Sequence, residues 1–371
     1  MARENRRIAV VGGGLAGLVA AFRLRQAASV EVLEAGERFG GQIDTVLAEG
    51  FVVERGAEGF VARSSALPQL AEDLGMPPDA LIDQATLRSY GYDAVQLSEL
   101  QPGEAARFLG FQVAREDLGR GIRSLRHGMG SLIAALERAL RAEPHATLRA
   151  ATQVRAIERA ERGLQVVLAD GTAVGADAVL VATQAVVAAE LLASLAGEPA
   201  RALRSAITSS SVTVELAYRR AAVPHALDGS GFVVALAAQQ EGLRACTWSS
   251  SKFEGRAPPG KVALRAFFRP TAEELAQLDD AAWIERARRG LARVMGLQEP
   301  PLDAWVSRWR DALPVFDDAH RARVAALEQA LRPWPIALAG SAFHGSGIDA
   351  TVQSAERAAL SLRAMLAEAT L

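Results

Sequence analysis

Lysine is nearly missing from this chain of 371 residues: only Lys252 and Lys261 occur, so arginine carries almost all of the positive charge. We read that as coding bias, since surface arginines cost little. A single cysteine, Cys246, excludes an intrachain disulfide framework and suits a reducing compartment. Excess charge of one sign is also absent. The net charge of -2 gives no field for attracting nucleic acid or anionic lipid. No uninterrupted apolar run is long enough for a membrane span. The most apolar long stretch, residues 178–196, is broken by Gln184 and Glu190 and reads as a buried strand followed by a helix. The N-terminus lacks the paired charged and apolar regions of a secretory signal, so the expected location is cytoplasmic.

Several chemistries lose their support in the same way. The five histidines, His127, His145, His225, His320 and His344, show no metal-ligand spacing, and one cysteine cannot build a zinc or iron–sulfur site. No metal is expected. No G-x-S-x-G elbow occurs, so serine hydrolysis has no support.

What is present is a globular balance: half of the residues are hydrophobic and 23% are charged. The length exceeds a single core's usual size and predicts two domains in one body. Residues 8–11 are a β-branched run, 15–25 a helical pattern and 30–33 a second strand, which is the opening of a doubly wound sheet. Gly75 to Pro78, then Pro102 and Gly103, mark a loop-rich excursion rather than more sheet. From Thr152 the rhythm changes: 154–157, 164–168 and 179–182 read as a β-meander turning at Asp170-Gly171. Residues 212–217, 231–236 and 262–268 are further strands, and 273–294 and 319–331 are helices. The tail offers a strand at 336–339, a turn through Gly340, Gly345 and Gly347, and a last helix from about Thr351. No low-complexity linker separates these parts, so the domains interweave.

Gly12-Gly13-Gly14-Leu15-Ala16-Gly17 satisfies G-x-G-x-x-G. The match alone is weak, but it follows a strand, opens a helix and precedes a second strand that ends in Glu34. Gly12 permits the tight turn, Gly14 lets a pyrophosphate approach the backbone, and Gly17 lets helix and strand pack closely. Glu34 is placed to accept hydrogen bonds from an adenosine ribose, and its charge disfavours a 2′-phosphate.

Beyond Glu34, Arg38-Phe39-Gly40-Gly41 adds a cation and a second glycine pair that simple nicotinamide folds do not require. This resembles the extended signature of the flavoprotein group that includes amine oxidases and protoporphyrinogen oxidases, and it implies FAD. Other segments are similar to the protoporphyrinogen oxidase family: Gly56-Ala57-Glu58-Gly59-Phe60-Val61-Ala62-Arg63, the Gly128-Met129-Gly130 stretch before a helix, and Ser249-Ser250-Ser251-Lys252-Phe253 running on to Arg256-Ala257-Pro258. Trp309 to Pro314 and Leu338 to Ile348 resemble two further family segments, the second lying at the flavin. Val181-Ala182-Thr183-Gln184 departs from the family's Val-Ala-Thr-Pro, and Ser354-Ala355 from its serine-glycine.

The resemblance implies a Rossmann-like α/β FAD-binding domain, with βαβ and β-meander, over residues 1–87, 124–205 and 330–371. An α+β substrate domain built on an antiparallel sheet takes 206–329. Cofactor contacts are expected from Gly12, Gly14, Leu15, Ala16, Gly17, Glu34, Ala35, Arg38, Gly40, Gly41, Gln42, Val154, Trp309, Gly340, Gly347 and Ile348. Arg63 falls where the family binds a substrate propionate, and a guanidinium suits a carboxylate. Val233 and Phe267 fall where the family sandwiches a tetrapyrrole; Trp248, Phe267 and Phe268 read equally as pocket or core. The implied activity is hydride removal from a porphyrinogen, with oxygen as acceptor and no obligatory acid–base side chain. Only residues 88–123 fill the interval where the family inserts a membrane-resting helical domain. The pocket then stands open, or a partner protein or second copy closes it, or the substrate differs. Rival readings are an oxidase or desaturase of another small molecule, with amines less favoured, and a non-catalytic flavoprotein subunit.

Overall fold

The computed structural model describes residues 6–101, 103–108 and 120–368, so Pro102 and Gly119 lie outside the described residues. The first strand, Arg7–Val11, is a continuous apolar run because both of its faces are covered. Ile8 and Val10 point into one buried cluster, and Ala9 and Val11 into another. It lies at the centre of a five-stranded parallel sheet in the order Ile336–Leu338, Ala178–Val181, Arg7–Val11, Ser29–Leu33, Ala146–Arg149. On one face pack the helices Leu15–Leu24, Gly130–Arg141 and Ile348–Glu368. Leu18, Phe22, Val352 and Ala355 are buried there, and each fully buried large side chain contributes about 1.5–3 kcal/mol. Ala355, which replaces a family glycine, therefore carries its methyl group inside this cluster. The other face carries Ala185–Leu191, Asp318–Leu331 and a three-stranded meander.

The meander differs from its expected form. Its strands are Val154–Arg159, Leu164–Leu168 and Ala173–Ala176, whereas Ala178–Val181 leaves it to pair in parallel with the first strand. Residues 173–176 contain Gly175 and two alanines, so they give little β signal. The valines just beyond them drew the expected strand one element too far. The helix expected at 273–294 is two helices, Ala272–Gln277 and Asp280–Met295, each with its own cap: Thr271 bonds the Glu274 amide and Asp279 the Ala282 amide.

The second sheet has seven strands in the order Asp303–Pro314, Thr208–Arg219, Lys261–Phe268, Leu243–Thr247, Gly231–Val234, Tyr90–Tyr92, Leu97–Glu99. The last two lie between Gly75 and Gly103 and correct the expectation of a loop-rich excursion there rather than more sheet. Three-residue strands are too short to show a period of two, but they extend this sheet through the parallel pairing of Phe232 with Tyr90. One face of the sheet packs on Asp280–Met295 around Trp283, Leu291 and Phe268. Trp248 and Phe268 are core on that side, not pocket. The opposite face looks toward the parallel-sheet half.

Candidate active site

A cleft of about 770 Å³ runs along the carboxyl ends of the parallel strands. Its lining follows four of the five strand ends: Gly12 after the first strand, Glu34 after the second, Ala182 to Gln184, and Ala339 with Gly340. That is where an open α/β sheet binds its ligand. Two helix N-termini open onto it. Leu15 and Ala16 begin one helix, and Gly347, Ile348 and Thr351 belong to the start of the other. Free amides and the positive ends of both dipoles therefore meet in one space, which favours phosphate and developing negative charge.

The expected cofactor residues Gly12, Gly14, Leu15, Ala16, Glu34, Ala35, Gly40, Gly41, Gln42, Val154, Trp309, Gly340, Gly347 and Ile348 all line this cleft. The fit to a long dinucleotide rests on particular atoms. A Cβ on Gly14 would have only Gly41 Cα nearby, at 3.8 Å, so the backbone is bare toward the cleft. At Gly17 a Cβ would stand 1.9 Å from the Gly12 carbonyl oxygen. Gly17 is thus outside the lining and acts by letting the helix sit on the turn. The Glu34 carboxylate accepts the Gly13 and Gly36 amides at 2.7 Å each, one per oxygen, which leaves lone pairs toward the cleft. The Glu34 carbonyl accepts the Thr152 amide at 2.7 Å, bringing the Val154 strand beside it.

Arg38 is placed differently from the other expected contacts. It lies outside the cleft lining and donates to the carbonyls of Gly41 at 2.8 Å, Ile43 at 3.1 Å and Phe39 at 3.2 Å. Its guanidinium holds the glycine turn whose residues 40–43 form the wall. Trp309 donates its indole N–H to the Arg55 carbonyl at 2.7 Å, and Gln42 donates its side-chain amide to the Ala312 carbonyl at 2.6 Å. His344 bonds Ser354 Oγ and Glu328, both at 2.8 Å, and is outside the lining.

Among the substrate candidates, Val233 and Phe267 share a register row, since both pair with Ala245 on the strand between them. They therefore occupy the same face of the seven-stranded sheet, the one turned from its hydrophobic core. Arg63 lies on the loop before Ala66–Asp73. The neighbouring Ser64 hydroxyl bonds the Asp349 carboxylate at 2.9 Å, next to the cleft residue Ile348. The loop is thereby tied to the end of the cleft formed by the last helix.

A cluster the sequence did not reveal lies between the two halves. Lys252 bonds Glu58, and the Arg265 guanidinium stands 3.6 Å from Glu58 and 4.0 Å from Glu215. Arg256 donates to Ser124 Oγ at 2.6 Å and faces Glu54 at 3.5 Å. Burial raises the Glu58 carboxyl, but the charges of Lys252 and Arg265 outweigh it and hold the group below its usual range. Glu215 is buried with less compensation from Arg265 and is pushed up to about 7. Burial likewise raises Glu54 against the charge of Arg256, and raises the Cys246 thiol. The available signal was scarcity: one of two lysines sits in the most family-like stretch, and Glu58 in another.

Among the described residues, no group of three or more His, Cys, Asp or Glu is placed to hold a metal, and no helix is long and apolar enough to cross a membrane.

The comparisons agree with this geometry. Residues 10–74 match the NAD(P)-binding Rossmann-like domain, and residues 90–362 match the flavin containing amine oxidoreductases. The coproporphyrinogen III oxidase of Bacillus subtilis (strain 168) is 23% identical over 459 positions, covering 94% of this chain and 96% of that protein. The coproporphyrinogen III oxidase of Mycobacterium tuberculosis (strain ATCC 25618 / H37Rv) is 29% identical over 447 positions, covering 96% and 97%. A crystal structure from Exiguobacterium sp. 255-15, of a protein assigned as a protoporphyrinogen oxidase, superimposes with a TM-score of 0.82 at 24% identity, covering 98% of this chain and 99% of that one. The chain belongs to the flavin containing amine oxidoreductase family and is an FAD-dependent oxidoreductase.

Proposed function

We propose that the chain is a porphyrinogen oxidase acting on coproporphyrinogen III. The observation that carries the reading is the junction of the cleft with the Arg63 loop. Ile348 lines the cleft, and the adjacent Asp349 accepts the Ser64 hydroxyl, next to a cation suited to a propionate. The names of the relatives that span nearly the whole chain support the substrate class. Bound FAD would supply a two-electron acceptor for removal of a hydride from carbon, with oxygen as the final oxidant.

The chain's own residues bind and orient. Gly14 and the first amides of the helix Leu15–Leu24 receive the pyrophosphate, and Glu34 receives the ribose. The N-terminus of Ile348–Glu368 opens onto the cleft and would stabilise negative charge developing on a flavin held there. Arg63 fixes a substrate carboxylate, while Val233 and Phe267 give the macrocycle an apolar surface.

A second reading, an oxidase of another small molecule, is favoured by one observation. Alignments of 447 and 459 positions on a chain of 371 residues open gaps here, where the relatives carry additional sequence. Anaerobic mixing separates the two. Coproporphyrinogen III is expected to bleach the flavin band, with protoporphyrinogen slower and small amines inert. Bleaching by another compound alone would favour the second reading, and an intact flavin colour with every substrate would favour a non-catalytic flavoprotein subunit. Arg63→Ala is expected to raise KM for the porphyrinogen about tenfold with FAD retained, from loss of one charge-assisted contact. Loss of FAD instead would overturn the role given to Arg63.

A further inference from the structure

Arg265 is buried, 2% exposed, in the middle of the strand Lys261–Phe268, where an apolar residue would ordinarily stand. Its contacts run in two directions. One way, Nη2 donates to the Gly56 carbonyl at 2.6 Å and to the Arg55 carbonyl at 3.3 Å. The Arg55 carbonyl also receives Trp309 Nε1, at 2.7 Å, and Trp309 lines the cleft, as does Ala57. The other way, the guanidinium carbon lies 4.9 Å from the centre of the Phe267 ring. One side chain therefore touches both the backbone behind the cofactor wall and the aromatic residue on the substrate face.

We propose that Arg265 is a positioning residue that sets the cofactor wall and the Phe267 ring relative to one another. The inference rests on the cleft being the flavin site and on Phe267 facing the substrate. Several features require arginine at this position. Nη2 alone serves both carbonyls while Nη1 faces Glu58 and Nε faces Glu215, and the flat cation lies over the Phe267 ring; an ammonium offers one point charge and no plane from which to reach all of these. The backbone at Gly56 is itself packed against the cofactor wall, since a Cβ there would lie 1.8 Å from the Gln42 carbonyl oxygen. The two carboxylates facing the guanidinium, Glu58 and Glu215, hold the charge in place, and Lys252 and Arg256 are the other cations of the cluster. Glu215 pairs with Arg265 in strand register, so the backbone fixes that contact.

The test uses Arg265→Lys, and the pair Arg265→Met with Glu215→Leu, which removes both buried charges so that the fold is kept. The measurements are FAD affinity by fluorescence titration of stripped protein, the shape of the visible flavin band, and KM for the porphyrinogen in a cycle with Phe267→Leu. Both variants are expected to bind FAD about tenfold more weakly and with a shifted band, since displacement of the wall by about 1 Å is costly at a positioned site. Phe267→Leu alone is expected to leave FAD affinity unchanged while raising KM, and its effect on KM is expected to shrink severalfold in the Arg265→Lys background. Folded variants with wild-type FAD affinity, an unshifted band and additive KM effects overturn the proposal. Wild-type protein that refuses FAD overturns instead the reading on which it rests.

Discussion

The crossover at residues 12–17 and the charged cluster around Arg265 both shape the cleft, but they do so by opposite means. The crossover is bare backbone: its work is done by missing side chains, within a stretch of six residues. The cluster is made of long charged side chains, and its partners Glu58 and Lys252 lie 194 residues apart. Backbone that approaches backbone tolerates no added atom, whereas a network of side chains can rearrange around a loss. Gly17→Ala is the harshest test of this contrast. Its new methyl group would stand 1.9 Å from a carbonyl oxygen, so the helix must lift off the turn. The protein is expected to be recovered without flavin and destabilised by several kcal/mol, on the order of 3 or more. A yellow Gly17→Ala protein of wild-type melting temperature would show that the crossover is as adaptable as the cluster.

The cluster's own limit is reached by breaking a pair. Glu58→Gln leaves Lys252, 6% exposed, without its counter-charge, which for a buried pair costs about 3–5 kcal/mol. Adding Lys252→Met is expected to recover most of that loss, because a neutral amide and an apolar side chain of similar size then replace the pair without an unpaired charge. Equal urea midpoints for the single and double variants would mean that the pair is solvated.

The difference between the regions also explains what was legible in the sequence. The fingerprint could be read because its constraints are local: turn, close approach and helix start fall in consecutive residues, with Glu34 one strand beyond. Gly12, Gly14, Leu15, Ala16 and Glu34 line one cleft for that reason, whereas Val154, Trp309, Gly340, Gly347 and Ile348, distant in sequence, were expected there only from the family resemblance. Arg38, expected along the FAD from the resemblance, lies outside the lining, and the fold uses its guanidinium to close the adjacent glycine turn. Arg265 could not be found, because composition places arginine at the surface and only the pairing of distant strands puts it inside. The short strands Tyr90–Tyr92 and Leu97–Glu99 were hidden likewise, since their place depends on a partner 142 residues away, Phe232 for Tyr90.

Glu215 sharpens the comparison through pH. Its carboxyl titrates at about 7 in the fold against 4.5 when exposed, so the native state holds its proton over a range in which the unfolded chain has lost it. Its contribution to stability is whole below pH 4.5 and is lost progressively up to about pH 7. A shift of that size corresponds to about 3 kcal/mol. Glu215→Gln, which cannot ionise, is therefore expected to be less sensitive than the parent to a rise from pH 5 to pH 8 in chemical denaturation. Parallel curves for the two proteins would mean that the carboxylate stays ionised, fully compensated by Arg265.

The smallest effect is expected where the crossover uses a side chain after all. Glu34 is held by the Gly13 and Gly36 amides, and its remaining lone pairs face the cleft. In Glu34→Ala the exposed Gly36 amide turns to water, and water entering from the cleft into the space left by the carboxylate serves the Gly13 amide, so the apoprotein is expected to keep most of its stability. The ribose contact is lost outright. Hydrogen bonds to a charged group contribute about 1.5–3 kcal/mol, so FAD affinity is expected to fall by about ten- to a hundredfold, read by titration of stripped protein. The bare glycine turn would still bind the pyrophosphate. If Glu34→Ala instead abolished FAD binding as completely as Gly17→Ala, the crossover would be governed by its carboxylate and not by the atoms it leaves out.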